Sequence, residues 1–408
     1  MTALIKPFAG LRPATGMAAA VAAPPYDVLS SAEARLQAAS RPWSFLHISK
    51  PEIDLPPGIN PYAPEVYAKA AENLHKMLAA GILQRDAQPC YYAYRLTMDD
   101  HVQTGLIAAA SVDAYDAGRI KKHEFTRPDK EEDRVRQIQA LGAQTGPVLL
   151  AYPAAPGADA LLAQATGAGA PEADVTGADG IRHTIWVLRD ARLIDQLSAA
   201  FDALPALYIA DGHHRSAAAS RVAAARHGSG DSGAFLAVLF PQHALRIMDY
   251  NRVVRDLNGL AEAEFLARIA ENFIVATATA PVRPAARGEF GLYLPGRWLR
   301  LALRPDRARP RDPVARLDVS LLSDYLLAPV LAIHDLRSDR RIDFIGGMRG
   351  LGELERRVDS GEMAAAFCLY PTSMEDLMAV ADSGAVMPPK STWFEPKLAD
   401  GLVSHLLT

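Results

Sequence analysis

Residues 207–218 read Leu207-Tyr208-Ile209-Ala210-Asp211-Gly212-His213-His214-Arg215-Ser216-Ala217-Ala218. Four residues of strand character, Leu207–Ala210, run straight into Asp-Gly, and the alanine-rich stretch Ser216–Arg226 that follows has high helix propensity. A strand that turns sharply into a helix gathers unpaired backbone N–H groups at one point, and the helix dipole adds partial positive charge there. Gly212 permits the turn and the close approach of a ligand. Arg215 presents a planar fork suited to two phosphate oxygens, while His213 and His214 supply donors whose charge switches near neutral pH. Together they predict a phosphate cradle. The bland alternative is a helix cap with buried histidines. Three cationic-capable side chains in one turn weigh against it, because they are costly without a partner. Zinc is disfavoured, since adjacent histidines at a helix start rarely both face one ion and no cysteine lies nearby.

Outward from this turn the chain reads as mixed α/β. Strands are expected at Cys90–Leu96, Thr104–Asp113, Val148–Tyr152, Arg182–Leu188 and Phe235–Phe240, with the first two joined at Asp99-Asp100. Residues 1–30 are expected to be extended, and Ser30 or Ser31 then caps a short helix containing Glu33. An amphipathic helix over Pro64–Leu83 carries Val66, Ala70, Leu74, Met77 and Leu78 on one face, and Gly81 stops it. The character changes near Asp256–Gly259. That change divides the expected architecture into residues 1–255, which carry the phosphate-binding turn, and an α/β subdomain, 256–408, completing the cleft.

The composition excludes several classes. Of 408 residues half are hydrophobic and 22% charged, the profile of an ordinary globular chain long enough for two cores. The net charge of −4 gives no global reason for a polyanionic partner, so nucleic acid is not expected. Cys90 and Cys368 stand alone without a CxxC pair, which suits a reducing compartment. The opening residues lack a signal-peptide pattern and no run reaches about 18 apolar residues, so no membrane span is expected and the cytoplasm is the expected location.

Other residues offer chemistry. Lys121-Lys122-His123-Glu124-Phe125-Thr126-Arg127 sets cationic-capable groups around one carboxylate, Glu124, the expected proton acceptor. Its competing reading is a solvated loop with local ion pairs, and Asp129–Arg136 fits that reading. Pro24-Pro25-Tyr26-Asp27 presents a carboxylate rigidly, either to magnesium or a substrate amine or as a simple turn. Pro388-Pro389-Lys390-Ser391-Thr392 brings a lysine for phosphate but lacks the glycines of a P-loop. Gly346-Gly347-Met348-Arg349-Gly350 is a candidate second anion turn, although glycine pairs are usually only turns.

The segment Asp211–Ala218 resembles the Gly-x-His-Arg-x-x-Ala turn of the ParB/sulfiredoxin superfamily, which binds nucleotide phosphates. Free serine kinases within it carry the form Asp-Gly-x-His-Arg. The resemblance implies a phosphate role for Gly212, His214 and Arg215, and a ligand- or metal-facing role for Asp211. Sulfiredoxins carry a catalytic cysteine where this chain has His213, which excludes their chemistry. Over nearly its whole length the chain also resembles the domain of unknown function 1015 family. Pro24–Val28, Lys121–Thr126, Ala210–Arg215 and Met387–Thr392 carry that likeness together.

These resemblances imply a ParB/sulfiredoxin-like core with an additional C-terminal α/β subdomain. The implied activity is phosphoryl transfer between a nucleotide and a small hydroxyl metabolite, serine or phosphoserine, in either direction, with Mg2+ and ATP or ADP. Glu124, Asp211 and His214 form the expected catalytic set. Gly212, His213, His214, Arg215, Lys122, His123, Arg127 and Lys390 are the expected phosphate or nucleotide contacts, and Asp27 meets substrate or metal. A non-catalytic nucleotide-sensing module, tied to nucleic acid as in some superfamily members, is the alternative. A metal-dependent hydrolase built on His123, His213 and His214 is a third.

Overall fold

Turn chemistry and strand alternation build the sheet that carries the Asp211 turn. Tyr91–Met98 and His101–Ser111 pair as an antiparallel hairpin, and Asp99 takes the left-handed turn position at φ +54°. The computed structural model describes residues 3–307 and 310–408. Met1 and Thr2, at the head of the stretch read as extended, lie outside them. The fold is mixed α/β, in two units: residues 1–245 with 396–408, and residues 246–395.

In the first unit the sheet runs Ile120–Lys121, Leu207–Asp211, Val148–Tyr152, Ala234–Pro241, His101–Ser111, Tyr91–Met98, Arg182–Leu188, Ala173–Thr176. Ile5–Lys6 adds to His101–Ser111. Leu207–Asp211 pairs parallel to Ile120–Lys121 and antiparallel to Val148–Tyr152. The register slips between Ile209 and Asp211, directly before Gly212. Such irregularities re-aim side chains where a strand ends. The inner residues Leu106, Leu150, Leu207, Ile209 and Leu239 are fully buried and pack with Leu197 and Phe201 of the helix Ala191–Asp202. Each such burial contributes about 1.5–3 kcal/mol before the entropy of ordering is subtracted.

The helix Pro64–Ala79 begins with proline at its first position and buries Val66, Ala70, Leu74 and Met77 along one face. It ends four residues short of the expected Leu83, because Gly81 turns left-handed at φ +67° and Leu83–Arg85 pairs as a strand with Leu11–Pro13. Ser30 and Glu33 form a reciprocal capping box on Ser31–Ala38. The opening residues are not wholly extended: Ala18–Val21 is a helical turn. Beside the Asp211 strand, the helices Pro128–Leu141 and His213–Ala225 pack through Val135, Ile138, Ala218 and Val222.

The second unit is an antiparallel sheet in the order Phe273–Ala278, Arg297–Leu303, Glu289–Leu294, Ala365–Leu369, Tyr250–Val254, Ile342–Gly346. The helix Gly350–Asp359 buries Leu354 and Val358 against it. The division falls at Leu245/Arg246, ahead of 255/256, because Tyr250–Val254 is an inner strand of this second sheet. The last residues return to the first unit, where His405–Leu406 pairs with Ala143–Gln144.

Close strand packing leaves Gly105 no room for a side chain. A Cβ there would stand 2.3 Å from the Leu239 carbonyl oxygen, on the neighbouring strand. Gly105→Ala is therefore expected to destabilise the first unit by about 1–3 kcal/mol. Urea denaturation checks this, and an unchanged midpoint would overturn the packing account.

Candidate functional site

Gly212 adopts φ +103°, and the helix His213–Ala225 starts behind it without a side-chain cap. The Arg215 and Ser216 N–H groups both donate to the Gly212 carbonyl, at 2.9 and 3.0 Å, so the first turn is tight. The Arg215 side chain folds back over the glycine and its Nη2 donates to Asp211 Oδ2 at 2.8 Å. A Cβ on Gly212 would lie 2.9 Å from Arg215 Nε. Glycine is thus required twice, for its backbone angle and for the guanidinium above it.

Arg215 is 9% exposed. Burial lowers its affinity for the proton, but Asp211, Asp27, Tyr26 and Asp400 together raise it above the ordinary arginine value. Asp211 is pushed up by burial, and Lys397, Arg215 and His213 outweigh this to hold it well below the usual carboxylate range. The turn therefore presents a permanent cation locked to a permanent anion.

The two histidines are not free cations. His213 is buried, and its Nε2 accepts the His123 backbone N–H at 3.3 Å. His214 Nε2 accepts the Arg127 backbone N–H at 3.0 Å. An imidazole nitrogen that accepts carries no proton, so both rings are neutral with Nδ1 protonated. Burial lowers the proton affinity of His213, and His123 lowers it further; for His214 burial acts first, then Arg127 and Arg215. The rings of His123 and His213 meet edge to face at 4.4 Å between centroids. Burial holds His123 down at about 4.

The loop 122–127 is thereby laced onto the start of the helix. Glu124, half-exposed, lies 3.7 Å from His213 Nδ1 through its Oε2. Arg127 is exposed and ion-paired with Asp129 at 2.8 Å, and Lys122 Nζ sits 3.9 Å above the Tyr115 ring centroid. His123, expected among the phosphate contacts, is only 2% exposed. Asp27 is exposed and acts through its charge on Arg215, Arg134 and Asp400. Lys390 belongs to the second unit, where its Nζ lies 5.7 Å from the Tyr250 ring centroid. The Gly346-Gly347 turn packs on the Asp249 carboxylate, which takes the place an anion would need.

Three groups escaped the sequence reading. Arg134 lies in the stretch read as solvated ion pairs, yet its guanidinium carbon sits 4.0 Å from the Tyr26 ring centroid and Nη2 reaches Asp133 Oδ2 at 2.6 Å. Asp400 is 1% exposed and is fixed by paired backbone bonds with Ala23, of 2.9 and 3.2 Å. Gly146 packs against both, since a Cβ there would meet Arg215 Cδ at 3.3 Å and Asp400 Oδ1 at 3.8 Å. A cavity of about 30 Å³ lies among Tyr26, Ser49, Arg134, Gly146, Arg215 and Asp400. The sequence signal was another Asp-Gly pair, Asp400-Gly401, with Gly401 left-handed at φ +86°. Among the described residues no group of three His, Cys, Asp or Glu is arranged to hold a metal ion, and no helix is long and apolar enough to cross a membrane.

The family described as a protein of unknown function, DUF1015, matches residues 5–320. The chain belongs to the DUF1015 family. Among solved structures it is similar to a free serine kinase in complex with AMP, at 16% identity over 73% of this chain and 92% of that one, with a TM-score of 0.35. It is also similar to a conserved hypothetical protein from Pyrococcus furiosus, at 16% identity, 74% and 97% coverage and a TM-score of 0.35. A C-terminally truncated SbnI from Staphylococcus aureus shows 12% identity, 74% and 87% coverage and a TM-score of 0.37. No curated protein matches the chain.

Gly212→Ala is expected to lose about 1–2 kcal/mol from the left-handed conformation alone. It should also displace Arg215, so chemical denaturation combined with phosphate binding measures both effects. A variant as stable as the parent would refute the double requirement.

Acid should weaken the site for a separate reason. Between pH 6.5 and about 4 the unfolded chain binds a proton at His123 that the folded chain refuses. The contribution is therefore intact above pH 6.5 and lost as pH falls towards 4, at up to about 1.4 kcal/mol per pH unit. His123→Gln should flatten the stability–pH profile in that window, and an unaltered slope would remove His123 from the account.

Proposed function

We propose that this chain catalyses phosphoryl transfer between a nucleotide and a small hydroxyl metabolite, with serine and phosphoserine as the substrate pair. The observation that carries the reading is the Arg215 guanidinium, charged, nearly buried and folded over a left-handed glycine at an uncapped helix start. A fixed cation beside helix N–H groups is what a phosphate dianion requires. Gly212 lets the phosphate reach the backbone, and Arg215 and the Nδ1–H of His214 donate to its oxygens. The resemblance of Asp211–Ala218 to a nucleotide-phosphate turn supports the same assignment.

In the forward direction the metabolite's hydroxyl oxygen attacks the terminal phosphorus of ATP or ADP. The bond to the bridging oxygen breaks, and ADP or AMP leaves. The hydroxyl proton passes to the Glu124 carboxylate, which His213 orients through Nδ1. Reversal returns the proton and regenerates the nucleotide. In the reverse direction, water in place of the nucleotide would attack the phosphomonoester, release phosphate and the free hydroxyl, and make the same site a phosphatase. Positioning and charge stabilisation supply most of the acceleration for such a transfer.

Magnesium fits as a companion of the nucleotide rather than as a resident ion. Asp211 is held by Arg215, and no three-ligand protein cluster stands among the described residues. Asp27, exposed, is the carboxylate on offer, and phosphate oxygens and water would complete the set. When bound, the ion would neutralise charge on the phosphates.

Phosphorus NMR on the purified protein with magnesium, ATP or ADP, and serine or phosphoserine tests the reading. Transfer is expected in one direction, reduced by about 10²-fold or more in Arg215→Ala. Glu124→Gln should slow transfer while retaining nucleotide binding. Nucleotide binding with no transfer in any pairing would replace the enzyme with a sensing module.

A further inference from the structure

Among the described residues of the first unit three buried oxygens have no hydrogen-bond partner, Ser49 Oγ, Gln242 Oε1 and Asp400 Oδ1, and Ser49 and Asp400 share one cavity. These two residues are 6% and 1% exposed, and the cavity, of about 30 Å³, lies beside Arg215. That volume is enough to admit a group the size of a water molecule or an ammonium. Buried carboxylate oxygens are normally satisfied, and leaving one unmade is costly. The other carboxylates near the cavity are engaged: Asp211 holds Arg215, and Asp133 holds Arg134 and accepts the Tyr67 hydroxyl.

We propose that this cavity receives the ammonium group of the substrate, with Asp400 Oδ1 and Ser49 Oγ as its acceptors. The inference rests on the phosphoryl-transfer reading for its substrate and narrows it to hydroxyl compounds that carry a primary amine. An ammonium brings three N–H donors and no acceptor, which complements two unpaired oxygens, one of them a carboxylate. Hydroxyl analogues of the amine bring a single donor and no charge. Arg215 lines the same cavity, so an amine seated there lies next to the residue assigned to phosphate.

The charge balance adds a signature. Burial drives Asp400 up to about 7; Arg215 and Arg134 pull it down, Asp27 pushes it up, and the Tyr26 backbone pulls it down. Before the amine arrives the cavity therefore holds a carboxyl that is largely protonated at pH 6. An arriving ammonium needs the carboxylate, so binding at pH 6 should release about one proton and at pH 8 almost none.

Titration calorimetry with L-serine, glycerate and ethanolamine, in two buffers of different ionisation enthalpy at pH 6 and pH 8, tests this on the full chain. L-serine should bind with proton release at pH 6, and glycerate, with a hydroxyl in place of the amine, at least about tenfold more weakly. Ethanolamine should show the same proton release. In Asp400→Asn the preference for serine over glycerate should vanish, and in Ser49→Ala it should shrink. Asp400→Asn removes a charge that burial disfavours, so at pH 8 it should melt no lower than the parent. The proton-release measurement needs no variant. Absence of serine binding, binding without proton release at pH 6, or a preference that survives Asp400→Asn each overturns the proposal. ADP titrated into the same samples separates the two readings. ADP binding without amine selectivity overturns the ammonium site alone. Amine binding with proton release in a protein indifferent to ADP leaves that site standing and removes phosphoryl transfer.

Discussion

An arginine cannot shed its proton to escape a buried environment, and Arg215 is buried. Everything around the Asp211 turn follows from that constraint. Removing the partner of a buried charge is destabilising because that charge is left uncompensated, and here the buried member is the arginine, while the Asp211 side chain is 41% exposed. Asp211 supplies the direct partner at 2.8 Å, Asp27 adds negative potential around it, and Asp400 joins them only where its carboxyl is ionised. These carboxylates come from three separate stretches of chain. The left-handed glycine between Asp211 and the helix lets the Arg215 side chain, four residues on, reach back to Asp211.

Histidine neutrality is the second consequence. The neighbouring imidazoles of His123 and His214 and the Lys122 ammonium make protonation of His213 unfavourable on top of its desolvation, against the pull of Asp211. The rings instead spend their acceptor nitrogens on the His123 and Arg127 amides. This converts what reads in sequence as three cationic-capable side chains in one turn into one cation and two uncharged rings. It also ties the loop 122–127 to the helix start by two specific bonds, so Glu124 is held from both sides of its own peptide chain. Short parallel pairing of Ile120–Lys121 with Leu207–Tyr208 sets the loop's starting point.

The local part of this arrangement was legible. Asp-Gly after a short apolar run and before an alanine-rich stretch specifies strand, turn and helix through backbone preferences alone, and the structure has Leu207–Asp211, Gly212 and His213–Ala225 in those roles. The hairpin at Asp99 and a serine cap at Ser30 or Ser31 were legible for the same reason, and the structure selects Ser30. What depends on distant partners was not. Nothing local distinguishes Arg134 from its neighbours in a charged helix, yet only it stacks on Tyr26. The tail was grouped with the second subdomain by simple continuity, whereas Ser404 bonds Leu11 and Leu407 bonds Gly142 in the first unit. Propensity carries no information about such returns, because their energy lies in pairings separated by hundreds of residues.

That return has a physical implication for when the site exists. The family match ends at residue 320, and Asp400 lies beyond it, yet Asp400 contributes to the field that holds Arg215. Closing a loop between residues 23 and 400 costs entropy that only the completed pairings repay. The strand–turn–helix can form early from local preference, but its charge environment is complete only when Ala23 and Asp400 exchange their backbone bonds. Gly401 makes this closure possible, since its left-handed backbone lies so close to Phe45 that a Cβ would stand 2.6 Å from the ring. The chain thus separates two tasks. A local signal builds the turn, and a non-local closure at the chain's far end completes its charge.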